Sequence, residues 1–429
     1  MIKLATEADA AFSALFDTMK SKGATSLRQA AWEAFAAKGL PNRRVEAWHY
    51  TDLKAALAKP APIAPAQAGA PELPAASETV RLVTLDGVFR ADLSDLASLP
   101  EGVKIQPLRE ALAQGAPGVM ALVASDDVQA QDPMVAMNAA LMQDGVILRI
   151  AAGVTLEKKI ELASYVSSPD AQSSFTRSLV ILGKDAKATI IETAGALTEA
   201  PAQDNQTLIV RLASGAALDL VTLASGQGDK LVRVMSLLAH LDEGASLNSY
   251  ALVEGAGLLR RQIFARLDGE RAKVALNGAT LARGRQHADT TLVVDHAFPN
   301  GESREAFRNI IDEQGTGVFQ GKIVVRPHAQ KTDGVMQSKA ILLSDGATMN
   351  NKPELEIFAD DVQCGHGATC GRLDKEQLFY LMARGIPRYA AESLLIEGFA
   401  NEAFAGLEDE TLRGYLVERI SSWLAARSK

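Results

Sequence analysis

Cysteine is nearly absent: only Cys364 and Cys370 occur in 429 residues. Two thiols cannot supply a disulfide framework for a chain of this length, and a reducing, cytoplasmic setting is expected. Long apolar runs are missing too. Nowhere do about 18 apolar residues follow one another, so no membrane helix is expected. The start, Met1-Ile2-Lys3-Leu4-Ala5-Thr6-Glu7, turns acidic before an apolar stretch can form, and no secretory signal is expected. An excess of positive charge is lacking: the net charge is −8, which argues against a broad phosphate-binding face and against nucleic acid as a partner. There is no G-x-x-x-x-G-K-[ST] loop, G-x-S-x-G, H-E-x-x-H or C-x-x-C. Those absences remove a Walker-type ATP site and the common hydrolase, zinc-protease and dithiol signatures.

What is present is the balance of a globular protein, 47% hydrophobic and 22% charged. Residues 1–59 read as helical, with Ala11, Leu15, Met19 and then Leu27, Ala31, Ala34 and Phe35 near helical spacing. Gly23 interrupts that run, and Gly39-Leu40-Pro41 ends it. A stretch dense in aromatic and charged groups follows, from Arg43 to Leu53. Residues 60–79, with Pro60, Pro62, Pro65, Pro71 and Pro74, read as an extended linker. Residues 80–150 mix short strands with a helix expected around Met134–Met142.

Residues 151–371 alternate apolar and polar positions in short strands. Turns of similar chemistry recur, ending at Ala186, Ala216, Ala245, Ala272 and Ser303, with spacings of 30, 29, 27 and 31 residues. A two-strand unit cannot bury its apolar face alone, whereas stacked units share a continuous core. A β-sandwich gives a similar strand density. The near-constant period and the scarcity of Trp and Tyr favour a solenoid. Residues 372–429 turn helical again. Asp374 with Gln377 resembles a capping box, Gly385 stops the helix, and Pro387 suits the start of the next. A last helix sets Leu412, Tyr415, Leu416, Ile420, Trp423 and Leu424 on one stripe.

Chemistry concentrates in Asp360-Asp361-Val362-Gln363-Cys364-Gly365-His366-Gly367-Ala368-Thr369-Cys370. Cys364 and His366, two apart on a strand, can share one face and form a partial iron or zinc site. Two ligands do not close a site, so the rest must come from elsewhere or from another chain. The plainer reading is a buried thiol and a backbone-bonded imidazole. For Cys370 a buried thiol is expected, and a Cys364/Cys370 dithiol lacks redox-motif spacing. Asp295, His296 and Ser303 are triad residue types, but a satisfied structural histidine is the expectation. Lys331-Thr332-Asp333 reads as a salt-bridged surface turn.

An ordered series of motifs resembles the SufB/SufD family. It runs through Lys331-Thr332-Asp333-Gly334, Leu342-Leu343-Ser344 and Pro353-Glu354-Leu355-Glu356-Ile357-Phe358-Ala359-Asp360-Asp361-Val362. It continues through Cys364-Gly365-His366-Gly367-Ala368-Thr369, Gly371-Arg372-Leu373-Asp374, Gln377-Leu378-Phe379-Tyr380-Leu381 and Arg384-Gly385-Ile386. Upstream, Asp295-His296, Ser303-Arg304 and Phe319-Gln320-Gly321-Lys322-Ile323 also look like that family, so residues 150–400 are covered. Gly39-Leu40-Pro41-Asn42-Arg43-Arg44 with Glu46, Trp48 and Tyr50-Thr51-Asp52-Leu53 looks like the SufD branch. So does the lack of cysteine before Cys364.

The resemblance implies a right-handed parallel β-helix flanked by helices, and a non-catalytic scaffold for iron–sulfur cluster assembly. It implies a heterodimer with SufB through the carboxy-terminal end of the β-helix. It also implies docking of the ATPase SufC on the carboxy-terminal helices around Phe379, Tyr380, Arg384, Gly385 and Ile386. His366, and less strongly Cys364, would be candidate ligands for a transient cluster shared with SufB. A homodimer in isolation is compatible with this. The rival readings are a β-helix carbohydrate-active enzyme and a homodimeric binding module with a structural Cys/His.

Overall fold

Strands with inward apolar rows and short turns stack here into two parallel sheets. The computed structural model describes residues 6–64, 69–74, 79–115, 117–124, 128, 131–226 and 229–427. From Lys159–Val166 onward, strands go alternately to one sheet and the other, giving one sheet of ten strands and one of nine. Each strand pairs in parallel with the strand two places later: Gln172–Leu182 with Ala202–Leu212, and that with Leu231–Leu241. Sequence neighbours lie in opposite sheets, which a β-sandwich of hairpins does not do. This is the expected β-helix.

The register corrects one spacing. Glu302 stands opposite Lys273, so Gly301, not Ser303, is the counterpart of Ala272, and the last repeat is 29 residues. The turn alanines Ala186, Ala216, Ala245 and Ala272 are all fully buried. Inside the rod, identical register positions form rows. Leu182, Leu212, Leu241 and Leu267 make one such row along the axis.

Helices cover both outer faces. On the nine-stranded sheet, Glu7–Met19 and Thr25–Lys38 clamp the fully buried helix Pro133–Leu141 against Phe175, Val234 and Leu258. The aromatic stretch is a clasp on that sheet: Trp48 is buried with the Arg260 guanidinium 3.7 Å from its ring. Arg260 reaches Asp289 at 2.6 Å, and Thr51 donates to the same carboxylate. Within the Pro-rich segment, Ile63 makes an isolated parallel bridge to Ser173, which ties the start of the segment to the nine-stranded sheet. Pro65, within 65–68, and residues 75–78 fall outside the described residues.

On the ten-stranded sheet, Glu410–Arg427 buries Leu412, Leu416, Ile420, Trp423 and Leu424 against Ile191, Val221, Leu252 and Ile310. Tyr415, expected on the same stripe, stays exposed. Ion pairs Arg308–Glu402, Arg419–Glu254 and Arg427–Asp312 fasten this layer.

Candidate functional site

The two ends of the rod differ. At the amino-terminal end, Val88–Arg90 and Val103–Pro107 pair antiparallel with the first strand of each sheet and terminate the ladders. At the other end, Thr348–Ile357 and Gln363–Gly371 are edge strands, each paired on one side only. Most side chains of Gln363–Gly371 are exposed. An unpaired edge of this length offers a row of free N–H and C=O groups to another strand.

Cys364 and His366 sit on that edge. Cys364 ends the inward row Leu247, Val274, Ser303, Gly334, Cys364. His366 ends the row Leu276, Glu305, Met336, His366. Both thus continue the core-facing side of the sheet, at a rung with nothing stacked beyond it. Cys364 is half-buried and packs on the core, while His366 is exposed. Burial raises the Cys364 thiol pKa above its ordinary value, with Asp333 and Glu305 adding to the rise and a backbone hydrogen bond from Gly334 opposing it. No group of three metal-ligating side chains stands together among the described residues.

Cys370 is exposed, contrary to the buried thiol expected. It lies on the same strand face as Cys364 but six residues along, about 20 Å at roughly 3.3 Å per residue. That span is far beyond the roughly 7 Å limit for bridging two cysteines, which rules out a disulfide between them.

The triad residue types do not converge. Asp295 points outward to Arg326 at 2.9 Å, while His296, one residue on, points inward. His296 is buried, but contrary to the satisfied histidine expected, neither ring nitrogen has a partner. Burial holds its pKa down to about 4. Lys331 and Asp333 are taken up in ion pairs with Asp361 and Arg304, as a salt-bridged turn requires. Glu305 escaped the sequence reading. It is buried, and burial pushes its pKa up to about 8, against a hydrogen bond from Ser303 and the nearby Arg304 charge, which lower it. Its signal was available in the repeat: a glutamate falls where neighbouring rungs carry Leu220, Ser249 and Leu276.

Beyond the edge, Lys375–Ala383 buries no residue, and Asp374 caps it by accepting from the backbone N–H groups of Glu376 and Gln377. Phe379 is 72% exposed, and Tyr380, Met382, Tyr389 and Leu394 are also open to solvent. Between this helix and Arg388–Asn401 lies an open groove lined by Glu376, Gln377, Tyr380, Leu381 and Leu395. Arg384 lies over the Tyr380 ring at 5.1 Å. Gly385 adopts φ +85°, the left-handed turn that lets the chain reverse. Five large apolar side chains are thus exposed on this helix pair, more than isolated surface residues would account for.

The chain is thus a helix-clad β-helix with one strand-capped end and one end whose last strands are unpaired. Residues 165–399 match the profile for the SUF system FeS cluster assembly, SufBD core domain, and residues 10–162 match the SufBD protein N-terminal region. The chain belongs to the SufBD family. It is 30% identical over 398 residues to the iron–sulfur cluster assembly protein SufD of Escherichia coli, covering 90% of each. An iron–sulfur cluster assembly SufBD family protein of Synechocystis is 30% identical over 412 residues, 92% of this chain and 90% of that one. SufD of Bacillus subtilis is 26% identical over 293 residues. The likeness to SufD supports a role in iron–sulfur cluster assembly. No helix among the described residues is long and apolar enough to cross a membrane.

Proposed function

We propose that this chain is the non-catalytic SufD-type scaffold subunit of a cytoplasmic SUF complex, pairing with SufB through its open end and coupled to the ATPase SufC through its carboxy-terminal helices, around Lys375–Ala383. The observation that carries the reading is the uncapped final rung, where two edge strands lie free beside Cys364 and His366. A second solenoid docking there satisfies the unpaired backbone groups and sets its own ligands against this pair. The cluster is cargo, held only while both chains contribute ligands, and this chain alone offers too few to keep it. Phe379, Tyr380, Arg384, Gly385 and Ile386 form the surface for SufC. ATP-driven movement of the two attached helical layers would then strain the seam, change the ligand number and release the cluster.

The test is anaerobic co-expression with SufB and SufC, followed by purification and absorption spectroscopy. His366→Ala is expected to leave the complex assembled and to remove most of the cluster absorbance, with Cys364→Ser weaker. Full absorbance with His366→Ala would overturn the ligand role, and a chain that never co-purifies with SufB would overturn the scaffold reading.

A further inference from the structure

A cavity of about 30 Å3 lies inside the rod near its first rungs. Its polar wall is made by Ser164, Thr176, Ser178, Glu192 and Gln206. Each points inward, in step with a core residue of its own strand: Ser164 with Leu162, Thr176 and Ser178 with Val180, Glu192 with Ile190, and Gln206 with Leu208. Ser164, Ser178 and Glu192 keep some accessible surface despite that direction, and the cavity accounts for it. The rows change chemistry here. Ser178 is followed by Leu208, Leu237 and Ile263, and Glu192 is preceded by Leu162.

These groups use only part of their hydrogen-bonding capacity. Gln206 donates to Ser164 Oγ at 3.2 Å and to Asp204 at 2.7 Å, Ser178 Oγ accepts from the Val146 N–H at 3.1 Å, and Glu192 accepts from Thr222 at 3.0 Å. Among the described residues, the hydroxyl hydrogens of Ser164, Thr176 and Ser178 find no acceptor, and the second Glu192 oxygen and the Gln206 amide oxygen find no donor. Thr84, also on the wall, is turned to the Ala163 carbonyl at 3.4 Å. The remaining wall is chiefly leucine and valine and can serve none of them. Buried polar groups are rarely left so, because their desolvation is costly unless a partner replaces water.

We propose that this cavity is a built hydration site for about two internal water molecules, held between the Glu192 carboxyl, the Gln206 amide oxygen and the hydroxyls of Ser164, Thr176 and Ser178. Water fits the space and the chemistry. A water molecule needs roughly 10–15 Å3 of such volume and about two to four polar partners. It also both donates and accepts, as this mixed wall requires. A bare cation would occupy the oxygens and leave the serine and threonine O–H groups without acceptors. An anion would meet the Glu192 carboxyl. Burial raises the pKa of that carboxyl, with the Arg261 charge and the Thr222 hydroxyl opposing the rise. Internal water restores part of the hydration that burial removes.

The experiment uses the full chain, in crystals and in solution. Wild-type crystals should show about two waters within hydrogen-bond distance of Glu192 and the named hydroxyls, and should take up no xenon there under pressure. In solution, water-oxygen relaxation dispersion counts long-lived internal waters. Ser164→Val fills the space with methyl groups and should lower that count by one or both of these waters, whereas the isosteric Glu192→Gln should keep it. Thermal melts verify that both variants fold, and should Ser164→Val fail to fold, the wild-type crystals decide alone. An empty cavity, xenon in the wild type, or an ion in place of water would each overturn the proposal. An unchanged water count in folded Ser164→Val would overturn it as well.

Discussion

The closed and open ends of the rod are built by opposite rules. At the closed end, antiparallel strands finish both ladders, and along the body of the rod a helix whose nine residues are all buried covers the nine-stranded sheet. At the open end, the last two strands keep one side unpaired, and the rungs behind them exchange leucine and valine for His296, Ser303, Glu305 and Gly334. The first arrangement maximises burial. The second gives up stability where another molecule is to be met, as edge strands and unpaired polar groups do in general. Substitutions in the covered body of the rod and among the polar residues of its last rungs should therefore differ in sign.

Trp48→Ala at the clasp carries the largest expected effect. It empties a fully buried site and strips the face from the Arg260 guanidinium. A loss of about 3–5 kcal/mol in denaturant unfolding is expected, as for large aromatics in cores. A loss below about 1 kcal/mol would mean that the clasp does not hold the sheet.

Glu305→Gln should act in the opposite direction, and with pH. The folded chain keeps the Glu305 proton up to about pH 8, whereas the unfolded carboxyl releases it near its ordinary value of 4.5. The acid form thus stabilises the fold fully below the unfolded pKa, and that contribution is lost as pH rises through the folded one. Each pH unit in that window removes about 1.4 kcal/mol. Wild-type stability should fall between pH 5 and 8 by about 3–4 kcal/mol relative to Glu305→Gln. Parallel curves for the two proteins would show that the carboxyl is not buried as an acid.

His296→Leu is a smaller gain, about 1–3 kcal/mol at neutral pH, because it removes an unsatisfied ring from the row of Leu182, Leu212, Leu241 and Leu267. Its sign on the acid side is also fixed. The ring stays neutral in the fold down to about pH 4, so wild-type stability is present above the unfolded value of 6.5 and lost as pH falls toward 4. The leucine variant should lack that acid slope in thermal melts.

These interior positions show what the sequence made legible and what it did not. The solenoid was legible because its period is physical: turn alanines near 30-residue spacing must be small where successive turns stack. The Cys364/His366 pair was legible from residue type and a two-residue step along a strand. Its setting on an uncapped rung was not, since nothing local in Gln363–Gly371 says that no strand follows. That same geometry exposed Cys370, which its small neighbours Thr369 and Gly371 had suggested was packed. Glu305 was hidden for another reason. Taken one strand at a time, Glu302–Ile311 offers no rule for which carboxylate points inward. Only the register opposite Leu276 and Met336 fixes it.

The smallest effect on stability carries the sharpest test of the open end. Phe379 is largely exposed on a helix that buries nothing, so Phe379→Ala removes little apolar area from the folded core. Unfolding should shift by less than about 0.5 kcal/mol, the usual range for surface positions. The same truncation deletes the most exposed side chain of the hairpin patch. Anchors of this kind commonly cost about 2 kcal/mol or more when an interface forms over them. Phe379→Ala, alone or with Tyr380→Ala, is therefore expected to leave the melting curve in place and to lower capture of the purified ATPase subunit at least thirtyfold. A matched loss of stability would mean that the hairpin is part of the fold's own core, and the contrast between a sealed end and a receiving end would no longer describe this molecule.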